Sequence, residues 1–65
     1  MARLYSAVTV KDRNGNIHDL GVYTGSYDWA TRLRAVRREC VRIGIDIAYA
    51  YIGGNFWSRN EVMSA

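Results

Sequence analysis

A chain of 65 residues with 49% hydrophobic residues and a formal charge of +3 supports one folded domain, but a core this small is marginal without help. Its single cysteine, Cys40, and single histidine, His18, exclude an internal disulfide and a zinc site closed within one chain. No apolar run is long enough to span a bilayer and the N-terminal stretch lacks the pattern of a signal peptide, so a cytoplasmic setting without membrane contact is expected.

Residues 3–11, around "LYSAVTV", read as the first strand, and residues 16–24 as the second. β-branched and aromatic residues alternate there with small ones. Asn14-Gly15 between two apolar runs signals a hairpin. A two-residue turn at Asn14-Gly15 would mix core and polar residues on both faces. A three-residue loop, Arg13-Asn14-Gly15, sorts them, because one residue of slip flips a strand's whole apolar set. Val10 then faces His18, Val8 faces Leu20 and Ser6 faces Val22. One face collects Leu4, Val8, Val10, Leu20 and Val22. The other collects Tyr5, Ala7, Thr9, Lys11, Asp19, Gly21 and Tyr23, with Ile17 near its end. The three-residue loop is the preferred register, and it makes Tyr5 and Tyr23 opposite neighbours.

Residues 27–43 form the helix in this reading. Ser26 or Asp28 caps its start, and Gly44 sits where a left-handed cap ends it. Trp29, Leu33, Val36, Cys40 and Ile43 fall on one stripe, which Ala30 and Val41 widen. Residues 45–52 read as the third strand, apolar on both faces apart from Asp46. Such a strand is normally covered on both sides. One helix covers only one side, so the tail or another chain should cover the other. In the tail, residues 53–65, Gly53-Gly54-Asn55 can reverse the chain and "FWSRNEV" can return as a short fourth strand. The competing reading is a frayed end with two docked rings.

The expected fold is α+β: a hairpin, one amphipathic helix and a third strand (ββαβ, with room for a fourth strand). The helix packs on one face of a mainly antiparallel sheet of order 2-1-3.

No catalytic constellation, metal set or cofactor motif emerges. His18 has no sequence neighbour that would make a dyad, and a rim histidine is the expected role. Cys40 lies on the apolar stripe and reads as a buried small hydrophobe. The aspartates are scattered over turns and element ends. "GNIHDLG" and "YIGGN" lack the spacing of phosphate loops.

The concentrated signal is "RLRAVRREC". Five of the nine basic residues lie between positions 32 and 42, all of them arginine. Arg34, Arg38 and Arg42 form one row opposite the core stripe, Arg37 flanks it, and Arg32 lies toward the other edge beside Glu39. Rows of like charge at i, i+4 destabilise a helix slightly, and arginine presents a planar fork suited to carboxylate and phosphate. A polar outer face on a cover helix explains part of this.

The reading is a non-enzymatic binding module of regulator or inhibitor type, of a size common among phage and mobile-element accessory proteins. Its partner would be an acidic protein surface, met through Arg34, Arg38, Arg42 and Arg37 or through a tyrosine face that includes Tyr5 and Tyr23. The alternative is non-specific nucleic-acid binding through the same helix. Self-association, as a dimer, is expected from the small core and the uncovered strand face.

Overall fold

The computed structural model describes residues 4–25 and 27–65, with residue 4 described for its backbone alone. The expected core place of Leu4, the capping by Ser26 and the strand start at residue 3 therefore lie outside the described residues. The elements run β1 (Leu4–Asp12), β2 (Ile17–Gly25), α1 (Trp29–Ile43), β3 (Ile47–Ile52), β4 (Asn55–Ser58) and α2 (Arg59–Met63). The strands form one sheet of order β2-β1-β3-β4 in which every neighbour pair is antiparallel. The first strand is thus central beside the third, as the 2-1-3 order requires, and β4 extends the sheet beyond β3.

The hairpin closes through three loop residues. The Asp12 amide donates to the Asn16 carbonyl at 2.9 Å, and Gly15 takes φ 90°, a conformation that a side chain would strain. The Asp12 carboxylate organises the loop by accepting from the Asn14 and Asn16 amides, each at 2.9 Å. Val10 faces His18 as expected.

Beyond that point the register changes. The pairing slips between Val8 and Thr9, so that Gly21, with φ 84°, stands opposite Val8 and Leu20 is the extra residue of a bulge. A bulge reverses which residues of its strand point inward. Ser6 now faces Tyr23, Ala7 faces Val22, and Tyr5 faces Thr24. Tyr23 packs against the core, whereas Val22 is 59% exposed. The expected places of Val22 and Tyr23 are therefore exchanged, and Tyr5 and Tyr23 lie on opposite faces. A second irregularity, between Lys11 and Asp12 of β1, leaves Ala48 unpaired on β3. It brings Ile47 to the same buried side as Ala50 and Ile52 and leaves Tyr49 and Tyr51 on the other.

α1 starts at Asp28, whose carboxylate accepts from the Thr31 amide at 3.0 Å, and ends at Gly44 with φ 82°. Its buried face is Leu33, Val36 and Cys40, joined by Arg32. Trp29 is partly buried. Ile43 and Val41 are exposed, which corrects their assignment to the core stripe. Val41 lies well over a hundred degrees from Val36 around the helix.

The tail folds back. Gly53 and Gly54, with φ 58° and 81°, make a two-residue turn that pairs Ile52 with Asn55, the positive-φ geometry favoured in tight hairpins. The fourth strand is short, and the rest of "FWSRNEV" becomes α2. Ser58 accepts from the Glu61 amide at 3.3 Å while Glu61 accepts from the Ser58 amide at 3.0 Å, a reciprocal capping box. Val62 of α2 is wholly buried in the same cluster as Leu33, Val36, Cys40, Val8, Val10 and Ile52. Both helices thus cover one side of the sheet, and the tail adds the Phe56 ring to the other, beside Tyr49 and Tyr51, without covering it.

Candidate binding surfaces

α1 carries the arginines, but the fold uses them differently. Arg32 is only 7% exposed. Its guanidinium lies 3.9 Å from the centre of the Trp29 ring and donates to the Tyr27 carbonyl at 2.5 Å. Trp29 in turn packs on Trp57 of β4 at 4.6 Å between ring centres. Arg32 is therefore part of the packing, where cation–π stacking and a long apolar stem suit it. Arg37 donates to the carbonyls of Met63 and Ala65 at 2.8 and 3.2 Å. It ties α1 to the end of α2, so the guanidinium that flanks the row is engaged within the chain.

Three arginines remain on the outward side. Arg42 pairs with Glu39 one turn earlier, which holds the Glu39 carboxyl below its ordinary pKa and raises that of Arg42. Arg34 approaches the Thr31 hydroxyl at 3.4 Å. Arg38 is exposed and makes no hydrogen bond or ion pair among the described residues. Arg59, which the sequence reading passed over, donates to Asp46 at 2.8 Å and to the Ile47 carbonyl at 2.7 Å, pinning the start of α2 to β3.

The opposite side of the molecule is different in kind. Tyr49, Tyr51 and Phe56 form a ring cluster on the uncovered sheet face, with centroids 5.3 to 5.8 Å apart and two of the three contacts edge-on. The Lys11 ammonium lies 5.8 Å from the Tyr49 ring centre. Tyr5 and Ile17 lie further along on the two neighbouring strands, both mostly exposed. Phe56 enters this cluster only because β4 pairs Tyr51 with it.

The fold also joins two groups that are six residues apart. His18 Nε2 and Asp12 Oδ2 hydrogen-bond at 2.8 Å. This contact, with the Asn16 amide next in importance, lowers the Asp12 carboxyl to a pKa of about 2. No serine, threonine or cysteine side chain hydrogen-bonds to the ring among the described residues, and the pair closes the hairpin base. The Cys40 thiol is buried, and that burial, with Glu39 adding to it, pushes its pKa up to about 11. A thiol so protonated is a poor nucleophile. Among the described residues no group of three His, Cys, Asp or Glu side chains gathers to hold a metal, and no helix is long and apolar enough to cross a membrane.

Between β2 and α1 runs an apolar groove of about 230 Å³ lined by Leu20, Val22, Tyr23, Val36 and Glu39. It falls below the roughly 300–1,000 Å³ typical of small-molecule sites. The chain matches no known family model, no curated protein and no solved structure.

Proposed function

We propose that this chain is a small non-enzymatic binding module, of regulator or inhibitor type, that engages an acidic protein through Arg34, Arg38 and Arg42. One observation carries the reading. The fold consumes Arg32 and Arg37 in its own packing, yet keeps this outward row of three, in which Arg38 has no partner among the described residues. A cover helix needs polarity on its outer side but not three arginines in one row. Aligned guanidinium groups offer forked donors to carboxylates on an opposing surface, and an Arg42–Glu39 pair can exchange partners at little net loss.

A protein partner fits better than nucleic acid. Three phosphate contacts give weak, salt-sensitive binding. Glu39 sits on the same flank, and the row has no Asn, Gln, Lys or Ser beside it to read bases.

The test uses an Arg34→Ala/Arg38→Ala/Arg42→Ala variant beside the parent chain. Affinity capture from the source cells should return an acidic protein with the parent and lose it with the variant. Fluorescence anisotropy on labelled duplex DNA and RNA should show no tight binding at low salt. Steeply salt-dependent binding that the triple variant abolishes would replace this reading with the nucleic-acid one.

A further inference from the structure

The uncovered sheet face has an occupant that the chain's own charge and area identify. We propose that a second copy of this chain docks there, sheet to sheet, as a two-fold dimer.

At a full side-chain area of roughly 200 Å² each, the exposed fractions of Tyr5 (67%), Ile17 (72%), Tyr51 (43%) and Phe56 (53%) leave roughly 450 Å² of mainly apolar surface open. With Ala7, Thr24 and the stem of Lys11 alongside, the face approaches the roughly 800 Å² per partner of a standard interface. Exposed apolar surface of this extent matches the largest patch on a typical monomer, which often marks an interaction site. Rings that already pack edge to face also lose little conformational freedom on docking.

The chain carries +3, so most approaches of two copies oppose like charges. The sheet face is the exception. Among the described residues its ionic groups are Lys11 and Asp19, one of each sign, set diagonally on β1 and β2 because Thr9 faces Asp19 and Lys11 faces Ile17. A two-fold arrangement lets Lys11 of one copy approach Asp19 of the other. It also places the two α1 helices on opposite outer surfaces, with both arginine rows turned away from the joint. A domain of 65 residues with one cysteine lacks a disulfide to support its core, and burying this face supplies the missing apolar area.

Single-stranded nucleic acid is the rival occupant of an aromatic sheet face. It requires a cationic groove along the backbone path beside the rings. Among the described residues the face offers Lys11, offset by Asp19, which does not make one.

The interface uses none of the arginine row, so it stands or falls separately from the partner proposed above. Sedimentation equilibrium from about 5 to 500 μM should show a monomer–dimer equilibrium for the parent chain. A Tyr51→Glu/Phe56→Glu variant should weaken it at least 100-fold, while Arg38→Glu on the far side should leave it unchanged. NMR on a mixture of labelled and unlabelled parent chain should show intermolecular contacts from the Tyr51 and Phe56 rings, a result that needs no variant to fold. A monomer throughout that range, a dimer whose contacts map to the edge of β2 or β4, or oligothymidylate binding to the ring cluster of a monomer would each overturn the proposal.

Discussion

Val62→Ala tests whether α2 belongs to the core. Val62 has no exposed surface and packs within the cluster formed by α1 and the inward residues of β1 and β3. Truncation removes two carbons, which at about 0.8 kcal/mol per methylene is a transfer loss of about 1.6 kcal/mol. A residual cavity of roughly 40 Å³ at about 24 cal/mol per Å³ adds about 1 kcal/mol. The expected loss is therefore about 2–3 kcal/mol, against a total stability of roughly 3–10 kcal/mol for a chain of this length. At about 4–8 °C per kcal/mol for small domains, Tm should fall by roughly 10–20 °C. Urea and thermal unfolding followed by circular dichroism measure both quantities, and an unchanged m-value shows that the folded state keeps its compactness. Met63→Ala, next along the helix and partly exposed, should lose about 1 kcal/mol or less. If Val62→Ala unfolds within about 0.5 kcal/mol of the parent, α2 is frayed in solution and the packing argument fails.

Three other outcomes follow from the same geometry. Arg37→Ala removes both hydrogen bonds to the Met63 and Ala65 carbonyls and should raise amide exchange in residues 59–65 more than elsewhere; uniform exchange would deny Arg37 its role as a tie. Asp12 titrates near pH 2 in the folded chain, below its ordinary carboxylate value. Its contribution is thus complete above about pH 4 and is lost as pH falls toward 2. Acid unfolding of Asp12→Asn should show a shallower slope across that window, and an identical slope would contradict the hairpin-base contact. Cys40 should resist an aromatic disulfide reagent at pH 8 in the folded chain and react fully in denaturant, because its thiol is buried with a pKa near 11; immediate reaction without denaturant would contradict that burial.

Much of the fold is legible in local chemistry. Asn14-Gly15, Asp28, Gly44 and Gly53-Gly54 set turn and cap geometry through their own backbone preferences, and each acts there in the structure. Alternation on β1 marks Val8 and Val10 as core, and the period of α1 marks Leu33, Val36 and Cys40. "SRNE" at residues 58–61 also carries the capping-box spacing that starts α2, a signal readable from sequence.

The remainder depends on contacts between segments that are distant in the chain. Gly21, whose φ of 84° suits glycine, is the one local mark of the β2 bulge. Ala48 fits an unbroken ladder, and the slipped registers are the ones that bury Ile47 and bring Tyr23 against the core. The same holds for the candidate surfaces. A helical projection already sets Arg34, Arg38 and Arg42 in one row with Arg37 and Arg32 to its sides, and the structure shows what engages those two. Trp29 and Trp57 draw Arg32 inward, and the returning end of α2 engages Arg37. That leaves Arg34, Arg38 and Arg42 outside. Phe56 joins Tyr49 and Tyr51 only because β4 docks beside β3. Local propensity therefore determined the elements and the caps, since those depend on residues within one turn of each other. Tertiary packing decided register, the engagement of Arg32 and Arg37 within the fold and the makeup of the open face, since those depend on which side chains the folded chain brings into contact.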